Sequence, residues 1–403
     1  MSDLIIRRAD VPSLFGGQRL QMTDSIRLTI ESLRTYIPLH PHVAVAWSGG
    51  KDSTTLVTLV VHLMETGQIP RPETFTVLYA DTRMELLPLW ASAHGIRTEL
   101  QRRGIDVRTV MAPLDERFLV YMLGRGVPPP NNRTLRWCTA QIKVEPMELE
   151  LLTIARELGK PLVLTGVRQG ESAVRDGRIA LSCSKDGSEC GQGWYQTLPD
   201  TNTLAPLLHW RVCHVWDWLS FFAPTAEYGA WPTRILADAY GGDEAEEINA
   251  RTGCVGCPLA ERDVALDAVI ALPHWAYLQP LKEIRPIYRM LRLSTSRLRK
   301  LPGERRKDGT LVENQQRMGP IKLAVRLEAL DRLLDIQARV NQAAGDRPHV
   351  DFLNAEEEAR IRALVDANTW PNRWTGDEPG ADEPFDAVVE GGVQPRLDGI
   401  WGS

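Results

Sequence analysis

No stretch of this 403-residue chain is long and apolar enough to span a bilayer. The opening segment, MSDLIIRRADVPSLFGGQRL, is interrupted by Arg7, Arg8 and Asp10 before any secretory core could form. A cytoplasmic location with no membrane partner is therefore expected. Cysteine is sparse, with six in the chain. In a reducing compartment these are not expected to form three disulfides, so Cys254-Val-Gly-Cys257 reads as metal or redox chemistry. Charge of one sign is lacking too: a net value of -5 neither demands nor excludes a nucleic-acid partner. No internal repeat is visible. A Walker A loop, which needs four residues between its glycines and a closing Gly-Lys-Ser/Thr, is also missing.

What is present is the composition of an ordinary globular enzyme, 43% hydrophobic and 25% charged, with an unusual 12 Trp. The length suits one large or two modest domains, each with a real core and no need of a metal or disulfide staple. From residue 43 onward, apolar runs alternate with helical periods. Strands are predicted at 42–47, 75–79, 107–111 and 161–165, and helices at 55–65, 86–103 and 141–158. This alternation predicts an α/β fold with a doubly wound parallel sheet, its ligands beyond the carboxyl ends of the strands. After about residue 215 the pattern turns mainly helical, at 243–251, 275–293 and 321–343. The expected organisation is an N-terminal segment 1–40, a nucleotide-binding domain 41–215, a helical region 216–345 and a tail 346–403. The tail's last stretch, from about Gly376, is rich in Gly, Pro and acids and is expected to be mobile or ordered only by contact.

Between the first strand and first helix of this alternation lies Ser48-Gly49-Gly50-Lys51-Asp52-Ser53. A Gly-rich loop between strand and helix can turn successive backbone N–H groups toward one anion. Ser48 and Ser53 add hydroxyls, and Lys51 adds charge. The plainer alternative is a Ser/Gly turn that merely starts a helix.

The segment SGGKDST resembles the PP-loop of the adenine nucleotide alpha-hydrolases, which cleave ATP between its α and β phosphates or bind adenylylated sulfate. Tyr79-Ala80-Asp81-Thr82-Arg83-Met84-Glu85, Arg136-Trp137-Cys138-Thr139-Ala140-Gln141-Ile142-Lys143, and Gly166-Val167-Arg168-Gln169-Gly170-Glu171-Ser172 with Arg175 resemble further motifs of the phosphoadenosine phosphosulfate reductase superfamily. Within it the chain is most similar to the DndC/SspD type of DNA phosphorothioation protein, on Cys190-Gly-Gln-Gly193, Val212-Cys213-His214-Val215-Trp216 and Cys254-Val-Gly-Cys257 with the basic region after it.

The resemblance implies ATP with Mg2+ as cofactor. It places Ser48, Gly49, Gly50, Lys51, Asp52, Ser53, Asp81, Glu85, Gly166, Arg168, Glu171 and Arg175 around the nucleotide, with Lys51, Asp52, Lys143 and Arg168 as catalytic residues. Asp81 and Glu85 could equally be carboxylates favoured near a helix N-terminus. It also implies a 4Fe-4S cluster. Cys138 stands where related reductases have the second of two adjacent cysteines, Trp137 replaces the first, and Cys254 and Cys257 match a later Cys-x-x-Cys. Cys190, in a polar loop, completes the expected ligand set ahead of Cys183 and Cys213, with zinc or no metal as alternatives.

Between Lys282 and Lys307 ten Lys or Arg face two acids, Glu283 and Glu304, and Arg285, Arg289 and Arg292 share helical spacing. The segment reads either as the footprint of a DNA backbone or as a solvated face. Trp231, Tyr240 and Trp275 could stack on bases, though such aromatics are usually core. The expected activity is that of an ATP pyrophosphatase that adenylylates a DNA backbone phosphate, releasing PPi. Sulfur would then come from a cysteine desulfurase, alongside other DNA sulfur-modification subunits. Rival readings are a sulfonucleotide reductase, a tRNA-thiolating PP-loop enzyme and a non-catalytic nucleotide-gated subunit. The reductase would require a nucleophilic C-terminal cysteine, whereas the last cysteine here is Cys257.

Overall fold

The computed structural model describes residues 21–132, 135–170, 194–241, 253–305, 309–312, 314–390 and 392–394. After helix α1 (Met22–Tyr36), the run His-Val-Ala-Val-Ala-Trp forms strand β1 (His42–Trp47), almost wholly buried and therefore flanked on both sides. It pairs in parallel with β2 (Thr74–Ala80), Val43 opposite Phe75, and with β4 (Leu162–Leu164), Val43 opposite Leu162. Helices α2 (Lys51–Glu65), α3 (Leu87–Arg102) and α4 (Glu145–Leu158) make the crossovers, and β3 (Asp106–Val110) extends the sheet beyond β2.

Two strands absent from the sequence reading complete it: β6 (Asn202–Ala205), parallel to β4, and the antiparallel edge strand β5 (Trp194–Thr197). The order β3-β2-β1-β4-β6-β5 reverses between β1 and β4. That reversal opens a crevice above the carboxyl ends of these two strands. The fold is thus the expected mostly parallel doubly wound sheet, followed by a mainly helical C-terminal region.

The abundant tryptophans form part of the sheet's packing. Trp47, Trp210 and Trp218 are essentially fully buried. Each indole N–H reaches a threonine hydroxyl: Trp47 donates to Thr54 (3.0 Å), Trp210 to Thr29 (2.9 Å) and Trp218 to Thr58 (2.9 Å). Threonines on α1 and α2 thus satisfy polar groups that would be costly to bury unpaired.

The C-terminal region comprises α5 (Val212–Asp217), α6 (Val264–Ala271), α7 (Ile284–Met290), strands β7 (Arg297–Arg299) and β8 (Met318–Ile321), and helices α8 (Leu323–Ala344) and α9 (Ala355–Asp366). Its core joins Leu281, Ile284 and Ile287 to Leu330, Leu333 and Val340. The helix expected over 275–293 is instead a 3-10 segment, Pro273–Glu283, leading into the short α7. Pro280 inside that segment has no N–H for an α-helical ladder. The helix expected at 141–158 likewise opens with a wide π-type turn, Ala140–Val144, before Pro146 in the first turn of α4. The segment 243–251 lies outside the described residues.

Arginines inside this region bind backbone rather than solvent. Arg326 on α8 is fully buried; its Nε donates to the Ile321 carbonyl (2.8 Å), and its Nη1 to those of Thr369 (2.8 Å) and Gly124 (3.2 Å). Its guanidinium lies 4.2 Å from the Trp370 ring centroid. Gly126, at φ +78°, makes room for it, since a Cβ there would collide with the guanidinium. The described part of the final segment is held by contact: Arg299 N–H donates to the Pro379 carbonyl at 2.9 Å, and its guanidinium lies 4.0 Å from the Phe385 ring centroid.

Candidate functional site

The crevice between β1 and β4 is lined by the Ser48–Ser53 loop and the start of α2. Gly49 takes the left-handed conformation (φ +74°) and Gly50 is extended, turning the chain from strand to helix. Ser53 Oγ donates to the Gly50 carbonyl (3.1 Å) and accepts from Ser48 N–H (3.2 Å), bracing the turn. At the helix start, Lys51 N–H donates to the Tyr240 hydroxyl (3.1 Å). The Lys51 ammonium lies 5.3 Å from the same ring's centroid and 3.0 Å from Asp52 Oδ2.

Arg168, beyond the end of β4, is 5% exposed and pairs through Nε with Asp52 Oδ1 (2.5 Å) while its Nη1 donates to the Trp210 carbonyl (3.2 Å). Two cations and one carboxylate therefore surround a helix N-terminus whose dipole also favours an anion.

Gly166 fits this site for a steric reason. A Cβ at that position would lie 2.9 Å from both the Asp52 carbonyl carbon and the Ser53 nitrogen, which are backbone and cannot swing aside. Gly166→Ala is expected to lower stability by about 1–3 kcal/mol and to weaken nucleotide binding by displacing the first turn of α2. Denaturant unfolding together with an ATP titration would check both. An unchanged affinity would show that the close approach is not needed for binding.

A second group of expected residues gathers beyond β2. Asp81 Oδ1 accepts from Arg83 N–H (2.8 Å), with Arg83 in the left-handed region at φ +64°. Glu85 is half-buried and accepts from Thr82 Oγ1 (2.6 Å). Burial, followed by the nearby Asp81 charge, pushes its carboxyl above the usual range. Glu85 forms an antiparallel bridge with Cys254, and Val255 N–H donates to the Met84 carbonyl (2.7 Å). The Cys-x-x-Cys loop is thereby hung on the end of β2. Gly49 and Tyr79 connect the two groups: a Cβ on Gly49 would lie 3.6 Å from the Tyr79 ring. Burial and then the Glu85 and Asp81 charges push the Tyr79 hydroxyl's pKa well up.

Three of the four expected metal ligands, Cys138, Cys254 and Cys257, lie in this part of the molecule close enough to influence one another electrostatically. Burial raises the Cys254 thiol strongly, and Glu85, Cys257 and Cys138 raise it further, with Lys143 opposing. Cys138 is also raised, by burial first and Cys257 among the other causes. Such mutually destabilising thiols suit a thiophilic cation as a donor set. Among the described residues, however, no three Cys, His, Asp or Glu side chains are already drawn together around a metal position. Cys190, together with Glu171 and Arg175, lies outside the described residues.

Trp137, replacing the reductases' first cysteine, has a packing role: it stacks on Phe118 (5.2 Å between centroids) and donates to the Pro128 carbonyl (3.1 Å). Trp231, Tyr240 and Trp275 are all buried, and core explains them better than base stacking. The part Tyr240 plays at the nucleotide loop has no local sequence signal, since it lies 189 residues from Lys51.

Residues 42–221 match the family model of the phosphoadenosine phosphosulfate reductase domain. No curated protein matches the chain. Among solved structures, an FMN adenylyltransferase mutant from Candida glabrata is 17% identical with a TM-score of 0.32, over 49% of this chain and 55% of that one. The same organism's enzyme with FMN and the ATP analogue AMPCPP gives 16% and 0.30, over 52% and 60%. The chain thus spans little more than half the length of these two. The U34-tRNA thiolase NcsA from Methanococcus maripaludis, with its 4Fe-4S cluster, gives 15% and 0.33, over 67% and 76%. No helix among the described residues is long and apolar enough to cross a membrane.

Proposed function

We propose that this chain is an ATP pyrophosphatase that adenylylates a phosphate oxygen of a DNA backbone in preparation for sulfur insertion. The observation that carries the nucleotide chemistry is the start of α2 at the β1/β4 reversal, flanked by Lys51 and by the Asp52–Arg168 pair. In this reading the PP-loop amides and hydroxyls hold the β and γ phosphates of ATP with Mg2+. Lys51 and Arg168 stabilise the charge that builds as the bond between the α phosphorus and its bridging oxygen to the β phosphate breaks. The substrate oxygen forms a new bond to the α phosphorus, and PPi leaves. A persulfide sulfur from a cysteine desulfurase then attacks the activated DNA phosphorus and AMP departs; a thiol reductant next cleaves the S–S bond so formed, joining the desulfurase sulfur in a disulfide and leaving the phosphorothioate on the DNA.

Asp52 orients Arg168, and exposed Lys143 adds positive charge on the side of Cys254. Cys138, Cys254 and Cys257 would hold an iron-sulfur cluster, which supplies thiophilic iron when bound. The domain match also favours a second reading, a sulfonucleotide reductase. That chemistry wants an activated thiolate, whereas burial pushes the Cys254 and Cys138 thiols up, away from activation.

Incubation of the protein with ATP, Mg2+ and duplex DNA is expected to release PPi and AMP in step once a persulfide donor is added. Sulfite formation from an adenylylated sulfate, without ATP turnover, would favour the reductase instead.

A further inference from the structure

Of the ten basic residues between Lys282 and Lys307, five are committed elsewhere among the described residues. Arg297 and Arg299 are buried. Lys282 pairs with Asp267, Lys300 with Glu378, and Arg305 donates through Nη1 to the Gly309 carbonyl (2.7 Å), while Arg306 and Lys307 lie outside the described residues. Three remain together. Arg285, Arg289 and Arg292 line one side of a cleft of about 210 Å³, whose opposite wall is the loop following Cys254, including Pro258 and Glu261.

Within this cleft polar atoms are left over. Arg285 Nη2 donates to the Ala260 (2.6 Å) and Glu261 (2.8 Å) carbonyls, but its Nη1 is buried without a partner. Arg292 Nη2 donates to the Pro258 (3.0 Å) and Pro130 carbonyls, but its Nε is likewise unpartnered. Tyr288, 2% exposed and also lining the cleft, has a buried hydroxyl with no partner. Arg289 is exposed, and no ion pair joins any of the three arginines to a carboxylate among the described residues. Arg285 repels Arg292 and, after burial, is the next cause lowering the latter's pKa; Cys257 opposes it.

Three guanidinium groups and a hydroxyl donor around one small cleft, with Glu261 as the acidic group in its lining, call for an oxyanion. We propose that this cleft is a phosphodiester site that seats the backbone of the nucleic-acid strand beside Cys257. This rests on the DNA-modification reading above and adds to it where the strand lies. The phosphates of ATP have their own seat at the start of α2. The cleft is lined by Gly256 of the Cys-x-x-Cys loop and the residues after it, and its exposed Arg289 suits a polymer running over the surface. Arg285 and Arg292 also brace the loop, so the informative variants are Arg289→Glu and Tyr288→Phe.

Binding of a labelled short duplex DNA is measured by fluorescence anisotropy without nucleotide, across a salt series. Arg289→Glu is expected to weaken binding by about tenfold and to reduce the slope of log affinity against log salt by about one. Tyr288→Phe should weaken binding while leaving thermal stability equal or higher, because it removes an unpaired buried hydroxyl. Arg71→Glu, on an exposed loop away from the cleft, should bind as wild type.

The proposal is overturned if wild type does not bind the duplex, if Arg289→Glu binds as wild type does, or if Arg71→Glu loses as much. It is also overturned if saturating ATP displaces the DNA from wild type, which would mark a nucleotide-phosphate site, or if only RNA binds. PPi release is assayed separately. Duplex binding that depends on Arg289 without any PPi release would leave the cleft standing and remove the adenylylation. PPi release with unaltered binding by Arg289→Glu would do the reverse.

Discussion

Arg168→Lys is expected to cut DNA-dependent PPi release from ATP by about a hundred- to a thousandfold while the protein stays folded. The guanidinium spans two fixed acceptors, the Asp52 carboxylate and the Trp210 carbonyl, from a nearly inaccessible position. A lysine keeps the charge but lacks the planar fork needed to meet both partners and a phosphate together. A steady-state PPi assay, with circular dichroism to confirm folding, reads the effect. A variant turning over at close to the wild-type rate would remove Arg168 from the chemistry and return the Asp52–Arg168 pair to a purely structural role.

The largest effect on stability is expected at a residue far from the nucleotide loop. Arg326→Ala would strip the carbonyls of Gly124, Ile321 and Thr369 of their donor and leave a hollow beneath Trp370. With about 1–3 kcal/mol for each orphaned buried acceptor, a loss of about 3–5 kcal/mol is expected. It would appear as a lower denaturation midpoint at unchanged m value. Burial lowers the pKa of Arg326 to about 10, yet no carboxylate partners it among the described residues. The guanidinium is held by carbonyl dipoles and a ring face, so a midpoint unchanged by high salt is part of the same expectation.

The elements that sequence alone revealed are those whose pattern is self-contained. β1, β2 and β4 are short, largely apolar runs bounded by turns, β3 alternates polar and apolar residues, and the loop at Ser48–Ser53 carries its chemistry in consecutive residues. β5 and β6 escaped notice because Trp194–Thr197 and Asn202–Ala205 are short and of mixed polarity, and only the pairing of β6 with β4 and of β5 with β6 makes them strands. The segment at 273–283 looked helical because its apolar spacing is helical, but Pro280 selects the tighter 3-10 winding.

Among site residues, Lys51, Asp52, Arg168 and Gly166 were legible from motif context, and the structure brings them together at the β1/β4 reversal. Beyond β2, Glu85 bridges to Cys254, with Asp81 and Cys138 near enough to act on them electrostatically. Tyr240 could not be found from sequence, because its partner is distant in the chain and nothing local marks it. The burial of Arg297 and Arg299 was equally hidden, since a basic run reads as surface until the carbonyls it serves are located.

The hydroxyl that Tyr240 offers to the first amide of α2 has a thermodynamic consequence. The helix opening is already occupied, so an incoming triphosphate exchanges with an existing acceptor rather than meeting a bare donor. Affinity at that amide then reflects the difference between two bonds, which on the pyrophosphatase reading proposed above would ease release of PPi. Because the same phenol ring lies against the Lys51 ammonium, release of the hydroxyl and reorientation of the lysine are steps of one rearrangement.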